Sequence, residues 1–196
     1  MEKNQIFAFI ILGIFYIAYL IKALVLTTKG IKVNQMGQGE KSVRTKVVEK
    51  LLQAVTFLMI LVQISAVFSF LPLQIKTPEI VQNIGLVISM CGTICFICAM
   101  LTMGKSWRAG IAPEDSTAFV KHGIYRVSRN PAFCGFDLIY LGVLLVFPGI
   151  IHAVVVLFTI VMFHLQILEE EKFLDVTFGE EYRKYKRETG RYFLFF

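Results

Sequence analysis

The stretch AFCGFDLIYLGVLLVFPGIIHAVVVLFTIVMFHLQIL, residues 132–168, decides the fold of this chain. Its one side chain with a full charge at neutral pH is Asp137, and Pro148-Gly149 divides it into apolar segments 132–147 and 150–168. Proline cannot continue a helix and the following glycine suits a turn, so the dipeptide marks a reversal. In lipid each segment must satisfy its own backbone polar groups, which predicts a helical hairpin. Outward from this pair lie three further apolar runs, residues 6–26, 51–70 and 80–103. Each reaches the roughly 20 residues that a helix needs to cross a bilayer.

Composition points the same way. The chain is 56% hydrophobic and only 17% charged, with a mean hydropathy of +0.68, whereas a soluble domain carries about 25% charged residues. The expected fold is therefore all-α: a polytopic integral membrane protein of five transmembrane helices, the last two a hairpin. A connector (residues 104–130) and a C-terminal amphipathic helix, with Phe173, Leu174, Phe178, Tyr182 and Tyr185 at helical spacing, complete it. Gly179 is expected to bend that helix. The first run is too long for a signal peptide and lacks a small-residue cleavage site, so it reads as a retained helix. The natural division falls into residues 1–103, three helices with a polar loop at 27–50, and residues 104–196, which hold the chemistry.

Charge gives the orientation. Lys29, Lys32, Lys41, Arg44, Lys46 and Lys50 lie between the first two runs, and Lys105, Arg108, Lys121, Arg126 and Arg129 between the third and fourth. Lys172, Arg183, Lys184, Lys186, Arg187 and Arg191 follow the fifth, which leaves Lys3, Lys22 and Lys76 elsewhere. The positive-inside rule then puts the C-terminus in the cytoplasm and the N-terminus outside. The net charge of +6 suits anionic lipid headgroups, and no soluble basic domain for nucleic acid is present. The membrane would be the cell membrane in a prokaryote and the endoplasmic reticulum in a eukaryote. Nothing in the pattern requires an oligomer.

Several motifs have simpler readings than the functional ones they suggest. Cys91, Cys95 and Cys98 have iron–sulfur spacing but lie mid-helix without a loop to wrap a cluster, so packing is preferred. No metal site is expected; His122, His152 and His164 lack ligand spacing. Gly37-Gln38-Gly39 follows no strand and is no dinucleotide fingerprint. Asp137, an ionisable group at membrane depth, has a functional and a structural reading of equal weight.

The segment GIYRVSRNPAFCG, residues 123–135, carries more. Pro131 forces Asn130 out of helical geometry and suits the first turn of the next helix. Helix N-terminal amides and the Arg129 fork favour a carboxylate there. Glu169-Glu170-Glu171 end the partner run, so Glu169 and Glu170 are expected beside this segment. A ligand with a carboxylate at one end and a cation or diol at the other suits the pair, and S-adenosylmethionine has those ends.

At these residues the chain resembles the isoprenylcysteine carboxyl methyltransferase family and its phospholipid methyltransferase relatives. The resemblance is carried by Phe119-Val120, Gly123-Ile124-Tyr125, Arg129-Asn130-Pro131-Ala132-Phe133 and Gly135. Downstream it continues through Glu169-Glu170-Glu171, Phe178-Gly179-Glu180-Glu181-Tyr182-Arg183-Lys184-Tyr185 and Gly190-Arg191, and Lys105-Ser106-Trp107-Arg108-Ala109-Gly110-Ile111 leads into it. It covers roughly residues 104–193. Three positions depart from the family pattern: Asn130 replaces a histidine, Gln166 a substrate-binding arginine, and Leu194 a proline.

The resemblance implies an S-adenosylmethionine-dependent carboxyl O-methyltransferase that acts on a lipid-tailed, prenylcysteine-type small molecule or lipidated protein, with membrane lipids around it. It places the cofactor against Thr117, Ala118, Phe119, Val120, Tyr125, Asn130, Pro131, Ala132, Phe133 and Glu170. Arg129 and Glu170 are the candidate catalytic residues, and Gln166, Arg108 and Trp107 the candidate acceptor contacts. The alternatives are a phospholipid amine methyltransferase, a relative that reduces sterol-like double bonds with NADPH, and a non-catalytic membrane scaffold.

Overall fold

The computed structural model describes residues 2–111 and 118–193. Within them the chain forms α1 (Lys3–Thr27), α2 (Val43–Val67), α3 (Glu79–Met103), α4 (Pro131–Val146) and α5 (Ile150–Glu188). The all-helical expectation holds, and among the described residues extended pairing is limited to two isolated bridges, Asn34–Ala109 and Gln74–Gly149. Four helices, α1, α2, α3 and α5, are long and apolar enough to cross a membrane, and α4 is a shorter apolar helix. Their outward faces remain apolar: Ile10, Ile17 and Leu24 on α1 and Val154, Leu157 and Val161 on α5 are exposed. The protein is thus a multi-pass membrane protein.

Local chemistry fixes the helix ends. The Ser42 hydroxyl accepts from Thr45 N at 3.1 Å and caps α2. Asn130 is non-helical, at φ −130 and ψ 50, and Pro131 is the first residue of α4, as its fixed φ and missing N–H favour. Gly179 has φ +50, a conformation that costs glycine nothing, and there α5 bends. The expected boundary at residue 168 between a spanning helix and a separate amphipathic one is absent. Residues 168–178 contain no helix breaker, so α5 continues without interruption to the bend.

The closest packing joins α3 to α4. A Cβ on Gly92 would lie 2.7 Å from Gly135 O, and one on Gly142 would lie 2.3 Å from Ser89 Oγ. Small residues let the two backbones approach, the usual route to dispersion contact where lipid offers no hydrophobic drive. Of the three cysteines expected to serve packing, Cys95 does so, its thiol 3.1 Å from Pro131 O, whereas Cys91 and Cys98 are exposed on the outer faces of α3. Phe15 of α1 meets Phe96 of α3 and Phe136 of α4 edge-on at 4.7 and 5.2 Å.

The loop between α1 and α2 crosses to the connector after α3. Ala109 N donates to Val33 O at 2.9 Å and Gln35 N to Ala109 O at 2.8 Å. Glu49, wholly buried on α2, ties the joint together. It accepts from Gly37 N at 2.7 Å, Ile111 N at 2.8 Å and Lys41 Nζ at 2.7 Å. Gly110, at φ +86, leaves the Glu49 carboxylate the room that any Cβ would take.

Candidate active site

The three glutamates that follow the apolar part of α5 turn in three directions, about 100° apart, as 3.6 residues per turn requires. Glu169 faces α2, where it accepts from the Thr45 hydroxyl at 2.8 Å and from Lys172 at 2.9 Å, with Arg44 at 3.2 Å. Burial opposes its charge, but those hydrogen bonds and cations hold it below the usual carboxylate value. Glu171 faces α4 and the C-terminal segment. It pairs with Arg129 at 2.8 Å and with Arg191 at 2.8 Å. Burial again opposes ionisation, and the two guanidinium groups overcome it.

Glu170 points between these two directions, into the protein. It is enclosed by protein atoms yet keeps some solvent-accessible surface. Its one hydrogen bond among the described residues comes from Gln166 Nε2 at 3.0 Å. Burial, reinforced by the nearby Glu49 carboxylate and only partly offset by Gln166 and Lys41, pushes Glu170 up to about 7. A carboxyl group in this state is a reservoir for a cationic or hydroxyl-bearing ligand. Gln166 is wholly buried and its Oε1 has no hydrogen-bond partner among the described residues. The Trp107 Nε1 is likewise buried without one.

Tyr125 closes the other side. It is buried and within electrostatic reach of Glu170, and its backbone carbonyl accepts from the Tyr185 hydroxyl at 2.5 Å. Phe119 stacks on Phe178 at 4.9 Å and meets Tyr185 edge-on at 5.3 Å. The bend at Gly179 is what folds Tyr182 and Tyr185 back onto this aromatic group. Phe133 of α4 lies 5.3 Å from Phe163 of α5, Ala132 is half-buried beside it, and Val120 is half-buried next to Phe119. Ala118 is exposed. Thr117 lies outside the described residues, as does Leu194.

Arg129 turns to Glu171 and also donates to the carbonyls of Lys186 at 3.1 Å and Thr189 at 2.5 Å, and its side chain is buried. Of the two glutamates expected beside the 123–135 segment, Glu170 lies within electrostatic reach of its Tyr125, whereas Glu169 turns to α2 and Glu171 instead meets its Arg129, because helix rotation decides which carboxylate faces which neighbour. Asn130 donates from Nδ2 to Arg191 O at 3.2 Å and so holds the C-terminal segment. Arg108 donates to the carbonyls of Lys105 and Trp107 at 2.8 and 2.9 Å. Trp107 is buried edge-on against Phe96 at 5.5 Å.

Residues 84–176 match the model of the isoprenylcysteine carboxyl methyltransferase family. Protein-S-isoprenylcysteine O-methyltransferase A of Arabidopsis thaliana is 33% identical over 108 residues, which cover 54% of this chain and 55% of that protein. A probable protein-S-isoprenylcysteine O-methyltransferase of Oryza sativa subsp. indica is 31% identical over 121 residues, 59% of this chain and 62% of that one. The chain spans between half and two thirds of the length of these curated relatives.

The segment similar to this family begins inside α3, upstream of residue 104 where the motif resemblance starts, and ends on α5 before Gly179. It contains Trp107, Tyr125, Asn130–Phe133, Gln166 and Glu170. Glu49, Lys41 and the loop that they anchor lie outside it, and sequence reasoning missed them. The signal available was a Lys and a Glu among otherwise ordinary polar residues, with nothing to show that both would be buried.

Proposed function

We propose that this protein is an integral membrane methyltransferase that uses S-adenosylmethionine to esterify the carboxylate of a prenylcysteine-type acceptor. The observation that carries the reading is Glu170: an enclosed, solvent-accessible carboxyl group, within the family-matched segment, with a single hydrogen bond among the described residues. The residues present fit the cofactor. Gln166 Oε1 and Trp107 Nε1 are buried polar atoms in want of a partner, a state that costs about 1–3 kcal/mol each and that a bound polar ligand relieves. Tyr125, Phe119 and Phe133 supply aromatic surface for a flat base.

Bound S-adenosylmethionine supplies an electrophilic methyl group on a sulfonium. Glu170, oriented by Gln166, would hold the cationic end or the ribose diol, and Tyr125, Ala132 and Phe133 would line the remainder. Asn130 and Pro131 set the start of α4, whose first amides favour the amino-acid carboxylate. An acceptor carboxylate is already ionised at neutral pH and needs no base. The chain's contribution is then alignment and exclusion of water, by the connector and the α1–α2 loop that Glu49 fastens over it. Arg129 acts through position: with Glu171 it anchors the segment that carries Thr189 and Arg191. Five spans, with α4 and α5 as a hairpin and the C-terminus cytoplasmic, let the lipid tail enter from the bilayer while cofactor arrives from water.

One observation favours a second reading. A carboxyl group that titrates near 7 can take the proton of an ammonium, so Glu170 also suits methylation of a lipid amine. Incubation with labelled cofactor and with both a prenylcysteine analogue and phosphatidylethanolamine separates the two. Base-labile volatile label is expected; alkali-stable lipid label identifies the amine, and no label on either sinks both.

A further inference from the structure

Lys41 and Glu49 form an ion pair of 2.7 Å whose side chains are only 2% and 0% exposed. The two Glu49 oxygens bind different parts of the chain. Oε1 accepts from Ile111 N of the connector at 2.8 Å, Oε2 accepts from Gly37 N of the α1–α2 loop at 2.7 Å, and Lys41 Nζ reaches both. Lys41 also donates to Gln35 O at 2.7 Å, and Gln35 N donates to Ala109 O. Loop, connector and α2 thus meet at one carboxylate.

That carboxylate stands beside the candidate site. Thr45, one helical turn before Glu49 on α2, donates to Glu169 of α5 at 2.8 Å. The Gln74–Gly149 bridge joins the residues after α2 to the residue before α5, so the two helices run antiparallel. One turn forward along α2 is then one turn back along α5, which sets Glu49 level with Gln166. Glu49 and Lys41 are both within electrostatic reach of Glu170. The connector that Glu49 holds carries Trp107, four residues before Ile111, whose buried Nε1 lacks a partner among the described residues. On the methyltransferase reading, we propose that Glu49 is a positioning residue for the cofactor site. It fixes connector and loop in the arrangement that binds ligand, so clasp and ligand stabilise each other. Lys41 and Glu49 lie outside the family-matched residues 84–176.

Two variants loosen the clasp by different routes. Glu49→Gln keeps the shape but leaves one acceptor oxygen, so Gly37 N or Ile111 N loses its partner. Gly110→Ala leaves Glu49 in place and wedges the joint, since its Cβ would lie 2.9 Å from Met36 N at φ +86. Trp107 is the only tryptophan of the chain, so its emission reports on the connector. The measurements use the full chain in detergent, at a temperature where the variants keep wild-type helicity. Each variant is expected to show red-shifted emission and about tenfold weaker binding of S-adenosylhomocysteine. Saturating ligand should return the emission to the wild-type position. A merely structural role would lower the melting temperature and leave affinity and emission unchanged below it. Wild-type affinity in either variant, or an emission maximum that stays put or that ligand does not restore, overturns the proposal and leaves the methyltransferase reading standing. No binding by the wild type sinks that reading, and the proposal with it.

Discussion

At the end of its apolar part α5 presents two adjacent carboxylates, Glu170 and Glu171, and their surroundings could hardly differ more. Glu171 has two arginines within 2.8 Å and is held ionised by them. Glu170, the residue before it, has one amide and the negative charge of Glu49 nearby, and is held largely protonated up to about 7. A carboxylate with its cations already in place is part of the frame. One left short of partners, in a place that solvent can reach, is poised for a ligand. The contrast teaches that helix rotation alone divides the charge of this motif between paired frame and unpaired ligand-site candidate.

Substitutions should separate the two, and the largest effect belongs to the frame. Glu171→Ala strands Arg129 and Arg191 and is expected to cost about 3–5 kcal/mol of stability, read as a large fall in melting temperature in detergent. Glu170→Ala should reverse that pattern, with melting unchanged or slightly raised and cofactor affinity down at least about 100-fold, roughly 2.7 kcal/mol. If both variants lose stability alike, the division between frame and ligand site is wrong.

A pH titration sharpens the comparison. Because the folded protein raises Glu170 above its ordinary value, that group's contribution to stability is present below the ordinary carboxylate range and is lost as pH rises through about 7. A cationic ligand favours the ionised form, so its affinity should climb with pH by up to about tenfold per unit and level off above 7. Glu170→Gln should flatten the profile; an unchanged slope would assign the titration to another group. The smallest effect is expected at Glu169. Thr45→Val removes one of its partners while the solvent-exposed Lys172 and Arg44 remain, for a change below about 1 kcal/mol in melting experiments.

Much of this was legible in the sequence, because hydropathy and breakers act locally. The apolar runs became helices, Pro131 opened α4, and Gly179 bent α5. Residues distant in sequence were harder. The α3–α4 contact rests on Gly85, Ser89 and Gly92 meeting Gly135 and Gly142, and small residues by themselves do not say which helix they will meet. The triplet Glu169-Glu170-Glu171 reads as three equivalent acids until the rotation of α5 is known. Lys41 and Glu49 looked like ordinary polar-loop and helix-surface charges, but the loop folds inward and buries both. The resemblance pointed to the segment proposed to hold the cofactor, yet it could not reveal that the α1–α2 loop, outside the family-matched residues, packs against the connector after α3.

The central claim is that Glu170 is the anchor of an S-adenosylmethionine site. Calorimetric titration of S-adenosylhomocysteine into the purified protein in detergent, wild type beside Glu170→Ala, tests it most directly. Saturable binding at one site per chain in the wild type, lost in a variant that melts normally, is the expected result. No heat at millimolar ligand with the wild type, or equal affinity in the two proteins, would contradict it.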